Sequence, residues 1–424
     1  MYKLIVLMLK YIQNYPYCMD RVRKDIENIG KIGKDPNGGV SRPALSEADI
    51  EARMYVMREM EEAGLKVYVD QGGNIIGIKE GEINEPFITT GSHIDTVLNG
   101  GIFDGVVGVV GGLETIRLIN ENKIKNKFPI ALIVFTDEEG NSFTPFAGSK
   151  YFAGLLKKDE LHTIEGKYEN IKFGDALKRF FEKSKAKVIE KFPYSIKNHF
   201  ELHVEQGPIL EKEGKDIGIV LGIVGVLRIW ANLEGKQSHA GTTPMNMRSD
   251  PSIPLAKTIL KVREIAKKDI VGTLSYINVF PNVVNVIPGS IKLGIDIRSL
   301  DKTELEELEK QISKYIEDES EKEKVKANIS SYIEDPVLCA EENIKTIEKS
   351  VNELGYSYIK MPSRAVHDSQ IMSRITKIGM IFVPSKNGIS HAPDEWTDWN
   401  YIYKGVNVLY NTLKIITEAK NNKL

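Results

Sequence analysis

Cysteine is nearly missing from this sequence: Cys18 and Cys339 are the only two in 424 residues, and they lie far apart. That argues against a disulfide framework and fits a reducing cytoplasm, with both thiols as ordinary packing residues. An excess of charge of either sign is missing as well. The formal net charge is -2 and no basic block breaks the chain, so nucleic acid is not an expected partner. No apolar run is long enough to span a membrane. The mildly apolar start, "MYKLIVLMLKYIQNYPYCMD", is interrupted by lysine and lacks a small-residue cleavage site, which argues against a signal peptide. Residues 1–18 read either as an ordered extension or as the product of an upstream start, with Met19 as the natural beginning. Repeats and low-complexity segments are absent too.

What is present is an ordinary globular composition, 42% hydrophobic and 27% charged, over a length that accommodates two domains and a sizeable core. The first part alternates helices with apolar strands. Ser46 to Ala63 has helical spacing with a start signal at Ser46. Leu65 to Val69, Asn74 to Ile78, Pro86 to Thr90 and Phe128 to Thr136 read as strands. Gly105 to Asn120 reads as a helix whose glycines imply close packing on the sheet. This alternation predicts an α/β domain with a mixed sheet flanked by helices. After Gly222 the order becomes β-α-β-β-α-β: Gly225 to Leu233, Pro251 to Lys267, Gly272 to Phe280, Ile291 to Arg298, Lys302 to Glu319 and Lys324 to Ile333. That is a ferredoxin-like module. Beyond Pro336 the first pattern resumes and closes on a helix, Asn400 to Ala419. The module at residues 223–334 is therefore read as inserted into a domain formed by residues 1–222 and 335–424.

One stretch demands an explanation. "FTDEEG" ends the apolar run at Phe128 to Thr136 with three adjacent acids, and crowded buried carboxylates call for positive charge nearby. Only seven histidines occur: His93, His162, His199, His203, His239, His367 and His391. "GSHIDTVLNGGIFDG" follows a predicted strand, so His93, Asp95 and Asp104 fall where open α/β sheets bind ligands. His-x-Asp on an extended segment puts both side chains on one face, so one can bind a metal while the other orients a neighbouring group. Glycines 100, 101 and 105 let Asp104 turn back into the site. "ELHVEQG" places His203 at another strand end, and "GISHAPDEW" places His391 at a third.

Taken together, these motifs resemble the M20 metallopeptidase family. Within it they are similar to the amidase branch that holds N-carbamoyl-L-amino-acid hydrolases, allantoate amidohydrolases and β-ureidopropionases. The resemblance runs from Met19 onward and rests on "GSHIDTVLNGGIFDG", "TDEEGNSF", "ELHVEQGPIL", "SHAGTTPM", "PNVVNVIPG" and "GISHAPDEW", in that order. It implies two divalent ions sharing Asp104, with His93 and His203 completing one ligand set and Glu139 and His391 the other. Zinc, manganese and cobalt all suit such ligands. Glu138 would be the general base, and Asp95 would orient a neighbouring ligand without binding an ion itself. A histidine at 203, where many peptidase members carry an acid, favours the amidase branch. The inserted module would be a lid and dimerisation domain.

The implied substrate is an N-carbamoyl-L-amino acid or a related ureido acid such as allantoate, hydrolysed to amino acid, ammonia and carbon dioxide. His239 would stabilise the oxyanion from the partner subunit of a homodimer. Arg298 would grip the substrate carboxylate as a planar fork, with Asn285 and Gln206 as further contacts. The structural alternative for Arg298 is a salt bridge to Asp296 or Asp301. Where family members often have a glycine-rich turn, this chain has "PSRAVHDSQ"; Arg364 would add an anionic contact or close part of the pocket, with Val366 beside it. His162, His199 and His367 are expected in structural roles. Two other readings compete. A dipeptidase or aminoacylase is disfavoured by His203 and by the Asn285 and Arg298 pair. A metal-free binding relative is disfavoured because every ligand and Glu138 are present.

Overall fold

The computed structural model describes residues 19–267 and 269–418. The N-terminal segment 1–18, with Cys18, and the expected end of the last helix at Ala419 lie outside the described residues. Contacts divide the chain into two units, Met1–Leu221 with Cys339–Leu424, and Gly222–Leu338.

The first unit is built on a mixed sheet. Its centre is four parallel strands, Lys377–Val383, Ile196–Val204, Phe87–His93 and Ile130–Phe135, in that spatial order. Every residue of Phe87–His93 and of Ile130–Phe135 is buried; Ile130–Phe135 is the continuous apolar run expected in a covered parallel sheet, whereas Phe87–His93 buries threonine, serine and histidine as well. Ile75–Lys79 and Lys66–Asp70 extend the sheet in antiparallel fashion on one side, and Ile217–Ile223 does so on the other. Because the central strands are parallel, all four carboxyl ends open on one edge, and the loops that follow them share that edge.

Helices cover the sheet where the sequence placed them. Ser46 caps Glu47–Glu62, its hydroxyl accepting from the Asp49 amide at 3.2 Å, a contact worth about 1 kcal/mol. Val106–Glu121 presents glycine to the sheet: a Cβ at Gly108 would collide with the Leu202 carbonyl. An added methyl there would force the helix off the sheet, at a cost of ~1–3 kcal/mol. Trp399–Glu418 closes the layer, burying Ile402, Val406, Leu409 and Leu413. Among the described residues no helix is long and apolar enough to cross a membrane.

The second unit has the ferredoxin-like order. Four antiparallel strands run Val271–Phe280, Ser290–Ser299, Gly225–Glu234, Lys326–Glu334 across the sheet. Alternation along Gly225–Glu234 sends Leu227, Ile229, Ala231 and Leu233 to one face. There they join Leu255 and Val262 of helix Ser252–Ile265 and Leu305, Leu308, Ile312 and Ile316 of helix Lys302–Lys322. A two-residue ladder pairs Ser238–His239 with Val286–Ile287.

Candidate metal centre

The shared edge of the parallel strands gathers the acids and histidines. His93 is the last residue of its strand, and Asp95 and Asp104 lie in the loop that follows. Glu138 and Glu139 follow Ile130–Phe135, and His203 sits next to the end of Ile196–Val204. His391 differs from expectation. It lies well past Lys377–Val383, beyond a turn at Lys386–Gly388, on a loop residue with φ 55°. The segment turns back to reach the site instead of delivering the side chain from the strand end.

Two ligand groups result: His93, Asp104 and His203, and Asp104, Glu139 and His391, with the ligand atoms of each group within 4.8 Å of one another. Asp104 Oδ1 faces His203 Nε2 at 3.1 Å and His93 Nε2 at 3.8 Å. Its Oδ2 faces His391 Nε2 at 3.1 Å, and Glu139 Oε1 lies 3.3 Å from the same ring atom. One carboxylate therefore turns one oxygen to each group. Glu138 belongs to neither; its Oε2 lies 3.6 Å from His93 Nε2.

The rings are oriented for coordination. His93 Nδ1 lies 3.0 Å from the Asp95 carbonyl and His203 Nδ1 lies 2.9 Å from that of Val204. A carbonyl can only accept, so each Nδ1 carries a proton and Nε2 is the atom turned toward Asp104, free to offer a lone pair once it is deprotonated. Asp95 thus holds His93 through its backbone; its carboxylate Oδ2 accepts instead from the Glu139 amide at 3.3 Å. A third group, Glu201, His203 and His367, was not foreseen. Glu201 is already bonded to Ser92 Oγ at 2.7 Å and to Ser369 Oγ at 2.6 Å, and His367 Nε2 lies 2.9 Å from Ser363 Oγ. This group reads as hydrogen-bonded support behind His203.

The acidic triplet sits on a tight turn. Asp137 has φ 55°, and its carboxylate accepts from the amides of Ser142, Phe143 and Thr144 at 3.2, 2.9 and 2.8 Å. Beneath the turn lies a fully buried cation. Arg53 pairs with Asp49 at 2.6 Å and donates to the carbonyls of Gly73 and Phe135, each at 3.0 Å. It supports the backbone just ahead of the acids, yet among the described residues no lysine or arginine forms an ion pair with Asp104, Glu138 or Glu139.

The electrostatics fit a site built for cations. Burial, followed by the charges of Asp368, Glu139, Asp95 and Asp104, holds Glu138 well above the usual carboxylate range. Burial and then Asp104 push Glu139 up to about 8. Burial opposes charge on His203, but the hydrogen bond and charge of Asp104 outweigh it and lift the ring to about 9. The Asp104 hydrogen bond raises His391 to about 9 against the effect of its burial. Burial lowers His93 to about 4. Three histidines and two carboxylates with oriented lone pairs suit zinc, manganese or cobalt, and divalent charge would offset the crowding.

A pH dependence follows. In the ion-free protein His203 and His391 keep a proton below about pH 9 and Glu139 below about pH 8, and each must lose it to coordinate. Zn²⁺ uptake at pH 7 is therefore expected to release protons, and affinity to rise with pH until about 9. Calorimetric titration in two buffers of different ionisation enthalpy counts that release; a count of zero would contradict the assignment.

The remaining predicted residues fall in two places. Gln206, in the first unit, donates through Nε2 to Asp104 Oδ2 at 2.8 Å. Arg364 lies near enough to Glu205 to lower that acid's pKa, though burial keeps Glu205 raised overall, and Val366 is exposed. His239, Asn285 and Arg298 belong to the second unit. His239 is exposed, and its Nδ1 accepts from the amides of Gly241 at 3.0 Å and Thr242 at 3.2 Å. Its Nε2 then bears the proton in the neutral ring and is a donor. The Asn285 carbonyl accepts from the amide of Ala240, the residue after His239, at 2.9 Å. Arg298 pairs with Asp296 at 2.9 Å, the partner anticipated for a structural role. His199 is buried beside Thr89 Oγ1 at 3.0 Å, and His162 is exposed.

Comparison with known proteins extends these observations. Residues 89–415 match Peptidase family M20/M25/M40. An N-carbamoyl-L-amino-acid amidohydrolase of Pseudomonas sp. (strain NS671) is 38% identical over 409 residues, covering 93% of this chain and 97% of that protein. A ureidoglycolate hydrolase of Arabidopsis thaliana is 35% identical over 410 residues, covering 92% and 85%. The crystal structure of an amidase of the hydantoinase/carbamoylase family from Burkholderia multivorans superposes with a TM-score of 0.89 at 30% identity, covering 94% of this chain and 98% of that one. With the match spanning most of the sequence and the acids and histidines gathered at the strand ends, the chain belongs to Peptidase family M20/M25/M40.

Proposed function

We propose that this protein is a metal-dependent amidohydrolase that cleaves the ureido C–N bond of an N-carbamoyl-L-amino acid, with water, to give the amino acid, carbon dioxide and ammonia. The observation that carries the reading is Asp104, whose two oxygens face two ligand groups while Glu138 stands beside them in neither. The substrate class is that named for the amidohydrolase at 38% identity.

His93, Asp104 and His203 would hold one ion, and Asp104, Glu139 and His391 a second. Bound there, two divalent ions would supply Lewis acidity at the ureido carbonyl and lower the pKa of the attacking water. Glu138 takes the proton from that water and returns it to the leaving nitrogen; its basicity, raised by burial and neighbouring acids, suits a group that does both. His239 offers its Nε2 proton to the developing oxyanion. Arg298, Asn285 and Gln206 bind the substrate carboxylate. We also infer a homodimer formed through the second unit, with His239 of the partner subunit serving the site, and a cytoplasmic location, in keeping with the buried free thiol of Cys339.

The test is ammonia release by protein loaded with zinc, manganese or cobalt, across N-carbamoyl-L-amino acids, N-carbamoyl-β-alanine, allantoate, ureidoglycolate and dipeptides. Turnover of N-carbamoyl-L-amino acids is expected; activity confined to dipeptides would overturn the reading. The ureidoglycolate hydrolase relative favours one second reading, a different ureido acid as substrate. The same panel decides it.

A further inference from the structure

We propose that Glu395 is a positioning residue that fixes Asp104 and thereby couples the two ligand groups. The inference rests on the two-ion reading above. Glu395 is 5% exposed, and its Oε1 accepts from the Phe103 amide at 2.8 Å and the Asp104 amide at 3.1 Å. Its Oε2 lies 3.0 Å from Ser390 Oγ, which in turn lies 2.9 Å from Asp104 Oδ2. Glu395 therefore grips the peptide of Asp104 directly and shares with the Asp104 carboxylate the single proton of the Ser390 hydroxyl. Ser390 immediately precedes His391, so the same carboxylate also anchors the loop that carries a ligand of the second group.

Two further observations show that the chain is shaped around this contact. A Cβ at Gly101 would collide with Glu395 Oε1, so the turn before Asp104 admits the carboxylate only because position 101 is glycine. The Phe103 ring packs edge-on against Trp396 at 5.4 Å and Trp399 at 5.3 Å. Residues 395–399 thus hold this segment by hydrogen bonds to the Phe103 and Asp104 amides and by aromatic packing on the Phe103 ring. Glu395 is not itself grouped with either set of ligands; its oxygens are engaged by two amides and a hydroxyl. Because Asp104 turns one oxygen to each group, a small displacement of its backbone misplaces a ligand of both ions at once.

Zn²⁺ binding, measured by competition with a chromophoric chelator, tests this. Glu395→Gln keeps an acceptor oxygen for the two amides and is expected to bind two ions within about tenfold of the parent affinity. Glu395→Ala is expected to lose about 10–100-fold at both ions, as removal of a partner behind a ligand does. Gly101→Ala, which displaces the carboxylate without deleting it, should show the same loss and serves in place of Glu395→Ala if that variant does not fold. Parental affinity in Glu395→Ala, or in Gly101→Ala, overturns the proposal, and so does a Gln variant as weak as the Ala variant. A parent protein that takes up no Zn²⁺ would instead overturn the two-ion reading, and this inference with it.

Discussion

Glu138→Gln is expected to lose ~10²–10⁴-fold in kcat while binding its ions as tightly as the parent. The side chain is buried beside His93 and shared with no ligand group, so the isosteric amide should leave both groups as they are. What the amide cannot do is accept a proton. The adjacent residue should fail differently. Glu139 lies in the group with Asp104 and His391, so Glu139→Gln weakens a ligand and should show as a missing ion. Measuring ion content and turnover on the two variants separates the roles. Glu138→Gln turning over within tenfold of the parent would place the base elsewhere, and loss of an ion from it would make Glu138 a ligand.

Asp104→Ala should cost more ion binding than removal of any other ligand. His391→Ala removes a side chain from one group only and should leave the ion held by His93, Asp104 and His203. Asp104→Ala removes the one residue common to both and should weaken each ion by more than the ~100-fold typical of losing a mere supporting contact. Deleting it relieves repulsion on Glu138 and Glu139 but takes the hydrogen-bond partner from His203 and His391, so thermal unfolding without ions is measured alongside to confirm that the variant is folded. Equilibrium dialysis against Zn²⁺ with the two variants side by side gives the answer; one tight ion remaining in Asp104→Ala would mean that the carboxylate is not shared.

Much of this architecture was legible in the sequence because local rules governed it. The continuous apolar run at Phe128 to Thr136 marked one central strand, glycine spacing marked a helix that packs close on the sheet, and His-x-Asp at a strand end marked where the acids and histidines gather. Arg298 beside Asp296 also follows from period two, which puts i and i+2 on one face. The support structure was not legible. Glu395 meets the amides of Phe103 and Asp104 across almost 300 residues of chain, and no periodicity encodes such a pairing. Gly101, which makes room for it, looks in the sequence like any turn glycine. Arg53 escaped for a different reason: arginine on a helix is normally solvated, and its full burial makes sense only once the acid-bearing turn above it is placed.

The candidate ligands also come from both sides of an interruption. His93, Asp104, Glu139 and His203 precede the unit Gly222–Leu338, and His391 follows it. An ion held by Asp104 and His391 would act as a staple across a discontinuous domain, joining chain segments that are synthesised far apart in time. It would bind only when both segments are in place, and mass action would stabilise that state by about 2.7 kcal/mol at an ion concentration a hundred times Kd. On this view the supply of metal sets how long the folded enzyme lasts as well as how fast it works.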